Sequence, residues 1–285
     1  MIIQKHDIIL RRNGILNIYQ HTDAHYFSEG HDKVLHKRFV SKVARDPDAR
    51  WIDTGDLTDD DRPSTRERRT VMYLDRAEAR VLEDNDHRNR LDKTVIPKLR
   101  PIADKCLGLL AGDHFRIYAN GDNSAQYIAR ELKVPYLGER MAFASLRVST
   151  VQRPSSVYIY NILARHGKGG PSTSSGDVAG LVRQNTNWDA DLYLGGHTHK
   201  ENAHPEPFLG VNGKRGGFNR RTRWYIRGGS FLCGFAVGTK QHYPEKNEYG
   251  PLCLGWGELH LQFGRPAWND QNLAVVHSMG CVNVG

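Results

Sequence analysis

The sequence predicts an α/β fold, and three observations carry that expectation. Apolar, β-branched runs stop abruptly at polar clusters, helix-like segments separate those runs, and the clusters are rich in Asp, His and Gly. The run 15–19 leads into His21, Thr22, Asp23, Ala24 and His25, and Trp51 with Ile52 leads into Asp53, Thr54, Gly55 and Asp56. The run 107–110 ends at Ala111, Gly112, Asp113, His114 and Phe115. Later, 157–163 feeds Ala164, Arg165, His166 and Gly167, 192–194 feeds Gly195, Gly196, His197, Thr198 and His199, and 224–226 feeds Arg227, Gly228, Gly229 and Ser230. Each is read as a strand delivering a loop. In open α/β sheets ligands sit at the carboxyl ends of strands, so the repetition points to one shared site.

Helices are expected between these strands at about 33–44, 65–83, 88–103 and 124–131. The stretch 65–103 crowds both signs of charge, with Arg66, Glu67, Arg68, Arg69, Asp75, Arg76, Glu78 and Arg80, and reads as a solvated helical face. It makes 62–104 a charged helical insertion between motifs. The alternation in 257–263 predicts one more strand, the tail beyond Pro266 shows no periodicity, and 171–176 reads as a flexible loop. No internal repeat and no long linker divides the chain, so a single domain over 1–285 is expected.

With 39% hydrophobic and 25% charged residues and 28 glycines in 285 residues, the composition excludes disordered and fibrous classes. The apolar stretch at the amino terminus is shorter than a spanning helix and lacks a signal peptide's long apolar core. A cytoplasmic protein with no membrane partner is the expectation. Cys106, Cys233, Cys253 and Cys281 are scattered, without zinc-knuckle or redox spacing, and are expected as reduced thiols. A net charge of +8 favours polyanionic partners.

The chemistry-bearing residues fall into five short motifs in one order: Asp23-x-His25, Gly55-Asp56, Gly112-Asp113-His114, an isolated His166, and Gly196-His197-x-His199. Singly, each has an ordinary explanation as a turn cap or a satisfied polar residue. Together, carboxylates and imidazoles at five strand ends are the ligands that divalent transition metals prefer. No P-loop, no GxSxG elbow and no activated cysteine competes with that reading.

In these motifs the sequence resembles the calcineurin-like metallophosphoesterase family, whose pattern is D-x-H, GD, GNH, a lone H and GHxH. The resemblance covers about 16–200 and extends, at lower specificity, to the DNA-repair exonuclease-like phosphodiesterase branch. It implies a four-layer αββα sandwich with two central mixed β-sheets and a site on loops at one edge. It also implies that Asp23, His25 and His199 hold one divalent metal ion and Asp113, His166 and His197 a second, with Asp56 bridging. Mn²⁺ is the first expectation, with Fe, Zn, Ni or Mg as alternatives. Such a pair polarises a phosphoryl group and lowers the pKa of a bound water. His114 matches the family's non-ligand histidine at the leaving oxygen, and Asp59 the carboxylate that some relatives place beside it.

The chain departs from the family in two ways. Asp113 stands where the family has asparagine, adding negative charge to a site that must attract phosphate, and Phe115 replaces a frequent acidic residue. Asp60 occupies the position of a phosphate-binding arginine in the protein phosphatases, which argues against that substrate.

Basic, glycine-rich loops follow the motifs. Arg165, Lys168, Lys214, Arg215, Arg220 and Arg221 are candidates to grip phosphates beyond the scissile one, with Phe218 and Trp224 as stacking faces. They favour a phosphodiesterase acting on DNA, RNA or nucleotides. Alternatives are a phosphomonoesterase, a small cyclic-nucleotide phosphodiesterase, and a catalytically impaired scaffold that binds metal or nucleic acid.

Overall fold

A computed structural model of the chain describes residues 1–11, 14–59, 76–169, 173–211, 217–233, 252–263 and 273–281. In chain order the strands are β1 (Ile2–Leu10), β2 (Ile15–His21), β3 (Ala49–Asp53), β4 (Cys106–Leu110), β5 (Tyr136–Gly138) and β6 (Met141–Thr150). They continue as β7 (Arg153–Arg165), β8 (Leu192–Gly195), β9 (Glu201–Val211), β10 (Phe218–Gly228), β11 (Gly255–Phe263) and β12 (Leu273–Cys281). The helices are α1 (Lys33–Arg45), α2 (Arg76–Thr94), α3 (Ile96–Leu99), α4 (Ser124–Leu132) and α5 (Ser174–Asn185), with a 3₁₀ turn over Arg100–Lys105 after α3.

Two six-stranded sheets result, one ordered β1-β6-β7-β8-β10-β9 and the other β12-β11-β2-β3-β4-β5. Both are mixed: β2, β3, β4 and β5 run parallel, as do β7, β8 and β10, while β9, β11 and β12 pair antiparallel to their neighbours. Three apolar clusters correspond to three layer interfaces. Between the sheets lie Ile8, Leu16, Ile52, Leu146, Ile162 and Leu259. On the outer face of the β2–β5 sheet, Phe39, Leu91, Leu99 and Ile128 from the helices pack on Trp51 and Trp256. On the outer face of the other sheet, Leu181 of α5 packs on Leu163, Tyr193 and Tyr225. Helix, sheet, sheet and helix therefore form the four-layer sandwich that the family resemblance implied.

Local chemistry explains the element ends. Asp32 caps α1 by accepting from Val34 N and Leu35 N, and α1 buries Leu35, His36, Phe39 and Val43 at helical spacing. Asn123 and Gln126 form a capping box at the start of α4. The break expected between 83 and 88 is not there, because α2 contains neither Gly nor Pro; the chain interrupts instead near Pro97, at the first turn of α3. Of the segment 171–176, read as a loop, residues 171 and 172 lie outside the described residues and 173–176 instead begin a helix: Thr173 accepts from Gly176 N and starts α5. The expected helix portion at 65–75 lies outside the described residues.

Of the cysteines, Cys106 is buried and Cys233 and Cys253 half-buried, all as free thiols. No helix among the described residues is long and apolar enough to cross a membrane.

The topology brings the carboxyl ends of β2, β3, β4, β7 and β8 to one edge of the sandwich. Gln20 ties the two sheets there, donating through Nε2 to Gly195 O at 2.8 Å and to Thr54 Oγ1 at 3.1 Å.

Candidate metal centre

Each motif residue follows a strand directly, and the chain there takes a conformation that ordinary residues avoid. Asp23, His25, Asp56, His197 and His199 all have positive φ, between 46° and 74°. Non-glycine residues in this region cost of order 1 kcal/mol or more each, and such strain gathers at functional sites. Two motif glycines are required by closeness. A Cβ on Gly112 would meet Asp56 Oδ1 at 2.2 Å, and one on Gly196 would meet Thr22 Oγ1 at 2.5 Å.

The structure brings all seven expected ligands together. Asp23, His25 and His199 form one group and Asp56, His166 and His197 another, with the ligand atoms of each group within 4.8 Å of one another. In the first, His25 Nε2 faces His199 Nε2 at 3.2 Å, with Asp23 Oδ1 3.4 Å from His199 Nε2. In the second, His197 Nδ1 faces His166 Nε2 at 3.3 Å, with Asp56 Oδ2 3.1 Å from His166 Nε2. Asp113 Oδ2 joins this second group at 3.3 Å from His197 Nδ1 and 3.7 Å from His166 Nε2.

Backbone and outer contacts hold these groups in place. Asp56 Oδ1 accepts from the backbone N–H groups of Asp113 at 2.6 Å and His114 at 2.9 Å, fixing the third motif against the second. His197 N donates to Asp23 Oδ2 at 3.0 Å, joining the last motif to the first. His166 Nδ1 lies 3.0 Å from Thr54 O, so donating there turns Nε2 toward Asp56, the usual orientation for a ligating histidine. Buried Arg227, paired with Asp177 at 3.2 Å, donates to Gly196 O and Thr198 Oγ1 and steadies the 196–199 loop.

The electrostatics are those of a charged, enclosed site. Burial alone would raise the pKa of Asp23, but the imidazoles of His199 and His166 outweigh it and hold the carboxyl at about 2. Asp56 is likewise held below its ordinary range, burial being overcome by His166 and His25. Burial would lower His166, yet Asp56 and Asp23 push it up to about 9. His197 is lowered by burial and by His166.

His114 stands at the mouth of this centre with its side chain 48% exposed. Its Nδ1 pairs with Asp59 Oδ1 at 3.0 Å, and this bond, with Asp56 nearby, raises its pKa to about 9. Asp59 Oδ2 also lies 3.7 Å from His25 Nδ1, so one carboxylate faces two imidazoles.

Facing imidazole nitrogens beside carboxylates suit divalent transition metals, because a cation satisfies lone pairs that would otherwise oppose each other. The residues present fit a metal pair: Asp23, His25 and His199 would hold one ion, Asp113, His166 and His197 the other, with Asp56 between them.

The motifs, their strand-end placement and their convergence now stand together. No protein-family model matches the sequence, and no curated protein matches it. Among solved structures, the chain is similar to a single mutant of Vps29 from Entamoeba histolytica at 10% identity and TM-score 0.40, covering 92% of this chain and 98% of that one. It is similar to a predicted phosphoesterase from Streptococcus pneumoniae at 12% identity and TM-score 0.34, covering 86% and 83%. NAD nucleotidase from Haemophilus influenzae matches at 11% identity and TM-score 0.39, covering 92% of this chain but 49% of that one. Likeness at this level assigns no activity, so the reading of the site rests on its own geometry.

The basic candidates fall elsewhere. Arg165 donates through Nη1 to Gln184 O and Asn185 Oδ1 at the end of α5. Lys168 is exposed two residues beyond His166. Arg221 pairs with Asp189 and Asp191, and it precedes the β8-paired Arg227 by six positions, about 20 Å along a strand away from the metal edge. Lys214, Arg215 and the Arg220 side chain, like Asp60, lie outside what is described. One basic residue was missed altogether. Arg140, between β5 and β6, reaches Asp113, and no motif spacing marks it in the sequence.

Proposed function

We propose that this chain is a dinuclear-metal-dependent phosphoesterase that hydrolyses phosphodiester bonds in nucleotides or nucleic acid, with Mn²⁺ the first choice of metal. The observation that carries the reading is the pairing of two Asp/His ligand groups at one sandwich edge with a half-exposed, carboxylate-oriented histidine at their mouth. Bound divalent cations would supply Lewis acidity toward the phosphoryl group and activate water. The chain's own residues do the rest. Asp23, His25, Asp56, Asp113, His166, His197 and His199 set ligand geometry, with Asp23, His25, Asp56, His197 and His199 held at positive φ. His114, charged near neutral pH by its bond from Nδ1 to Asp59, holds a second proton on Nε2 where a leaving oxygen can receive it. The carboxylate of Asp59 keeps that ring's direction.

The diester preference rests on the basic surface. With Arg221 about 20 Å along the strand from the metal edge, only a substrate several nucleotides long spans both. Lys214, Arg215, Arg220 and Arg221 then contribute to binding and not to chemistry, and affinity falls steeply with salt.

Purified protein loaded with Mn²⁺ is to be tested in parallel on bis-p-nitrophenyl phosphate, p-nitrophenyl phosphate, cyclic nucleotides and single-stranded oligonucleotides of increasing length. Diester cleavage that improves with oligonucleotide length supports the reading. Turnover of monoesters or cyclic nucleotides alone replaces it with a small-molecule phosphoesterase. Metal uptake with no turnover of any substrate replaces it with a binding scaffold.

A further inference from the structure

We infer that Arg140 is a substrate-gripping residue of this site, held in place by the unusual Asp113 and aimed at the phosphate that the metal pair would bind; this rests on the phosphoesterase reading above. The first observation is the division of labour on Asp113. Its Oδ2 faces the ligand group, 3.3 Å from His197 Nδ1 and 3.7 Å from His166 Nε2, while its Oδ1 contacts the Arg140 guanidinium. One carboxylate thus links the second metal position to an arginine at the rim.

The second observation is that the Arg140 backbone is tied to the motifs on both sides. Its carbonyl accepts from His166 N at 2.9 Å, and the carbonyl of neighbouring Glu139 accepts from Gly112 N at 2.8 Å. Arg140 therefore stands between the third and fourth motifs by main-chain bonds, independently of its side chain. That side chain is 54% exposed. Its guanidinium has five N–H donors, and among the described contacts Asp113 engages one edge, leaving donors for a second anion.

The other described arginines near these loops are committed: Arg116 to Glu83 and Asp84, Arg165 to the end of α5, and Arg227 to Asp177. Among these described arginines, Arg140 is the one paired with a carboxylate of the expected ligand set.

This geometry also accounts for the family's asparagine being aspartate here. A carboxamide has one acceptor oxygen, and if that oxygen faces a metal its NH₂ end faces the guanidinium, donor against donor. A carboxylate presents an acceptor to each side. The additional negative charge is met by the Arg140 cation, so the site keeps its attraction for phosphate. A planar fork so held matches two non-bridging phosphate oxygens.

The test is calorimetric titration of inorganic phosphate into Mn²⁺-loaded protein, with Mn²⁺ per chain measured on each sample. Arg140→Ala is expected to keep its metal and to bind phosphate about 10- to 100-fold more weakly, as befits loss of a charge-assisted pair. Arg140→Lys is expected to recover part of this, since an ammonium restores charge but not the fork. Asp113→Asn is expected to weaken phosphate binding while keeping metal, and the double variant to bind no more weakly than Arg140→Ala alone, because the pair acts as a unit. Phosphate affinity within twofold of wild type in Arg140→Ala overturns the inference, as does metal loss in Arg140→Lys. Wild-type protein that takes up no Mn²⁺ overturns the phosphoesterase reading and this inference with it, a failure visible in the metal count before any phosphate is added.

Discussion

Asp23, His25 and Asp56 sit on loops at positive φ, within the two Asp/His groups at the sheet edge. Two and three residues upstream, His21 and Asp53 end their strands and pair at 2.6 Å, fully buried. His36 Nε2 meets His21 Nε2 at 3.2 Å, and Tyr26 OH reaches His36 Nδ1 at 3.0 Å. Phe39, Trp51 and Phe231 enclose this inner group, with ring centroids 4.9–5.7 Å from that of His21. The two clusters have the same residue types and opposite behaviour. In the inner one burial dominates, pushing His36 far below its ordinary pKa and Asp53 above. In the outer one opposing charges dominate, pushing His166 up to about 9 and Asp23 down to about 2. Side-chain identity alone does not separate the two clusters; the strained turns that bring several Asp and His side chains together at the sheet edge do.

The largest expected effect lies in the outer cluster. His197→Ala is expected to abolish turnover and to lower Mn²⁺ per chain, since it removes a ligand and with it the charge stabilisation of the reaction. Full metal content and activity in this variant would erase the distinction between the clusters. His36→Ala probes the inner cluster from the other side. It opens a cavity and removes the ring that His21 Nε2 and Tyr26 OH meet, so the protein should lose about 3 kcal/mol in denaturant unfolding while retaining its Mn²⁺. Metal loss there would mean that the inner group is a working part of the site.

His114→Ala separates chemistry from binding within the outer cluster. Both metals should remain and turnover should fall about 10²-fold, the usual cost of a lost general acid. Loss of metal from this variant, measured against His197→Ala, would make His114 a ligand.

The smallest effect tests whether the aromatic shell around the inner cluster depends on charge. Glu258 is buried, which would raise its pKa, but His260, Lys42 and Trp256 hold it at about 2 against an ordinary 4.5. A depressed carboxyl contributes stability above its unfolded pKa and loses it as pH falls through the folded one. Stability should therefore decline from pH 4.5 toward 2, and Glu258→Gln should flatten that part of the profile by about 1 kcal/mol, Lys42 being partly exposed. An unchanged acid limb would locate the loss elsewhere.

Much of the fold was legible where local pattern suffices. The runs before Asp23, Asp56, Asp113, His166 and His197 are strands, and their loops converge. The expected alternation over 257–263 is β11. What was not legible has physical reasons. The tail strand β12 and the hairpin strand β9 carry no clean period because they lie at sheet edges, with less of their surface constrained by a core. The start of α5 hides in a Ser-rich stretch whose composition suits either a loop or a helix cap, and only Thr173's bond to Gly176 decides between them.

The sequence by itself determined where the Asp and His side chains gather: five motifs in order, each after an apolar run whose end must turn sharply. Such turns are local, and the residue types record them. The tertiary structure alone decided which charged groups meet. Arg140 reaches Asp113 because β5 and β6 carry the intervening chain back to the fourth motif, and Arg221, close to His199 in sequence, lies far along β10 because strand direction sets distance. It also decided that His21 is sealed against Asp53 and His36 while His25, four residues on, faces His199 and Asp59. Register and layer packing sum over the whole chain, and no short spacing encodes them.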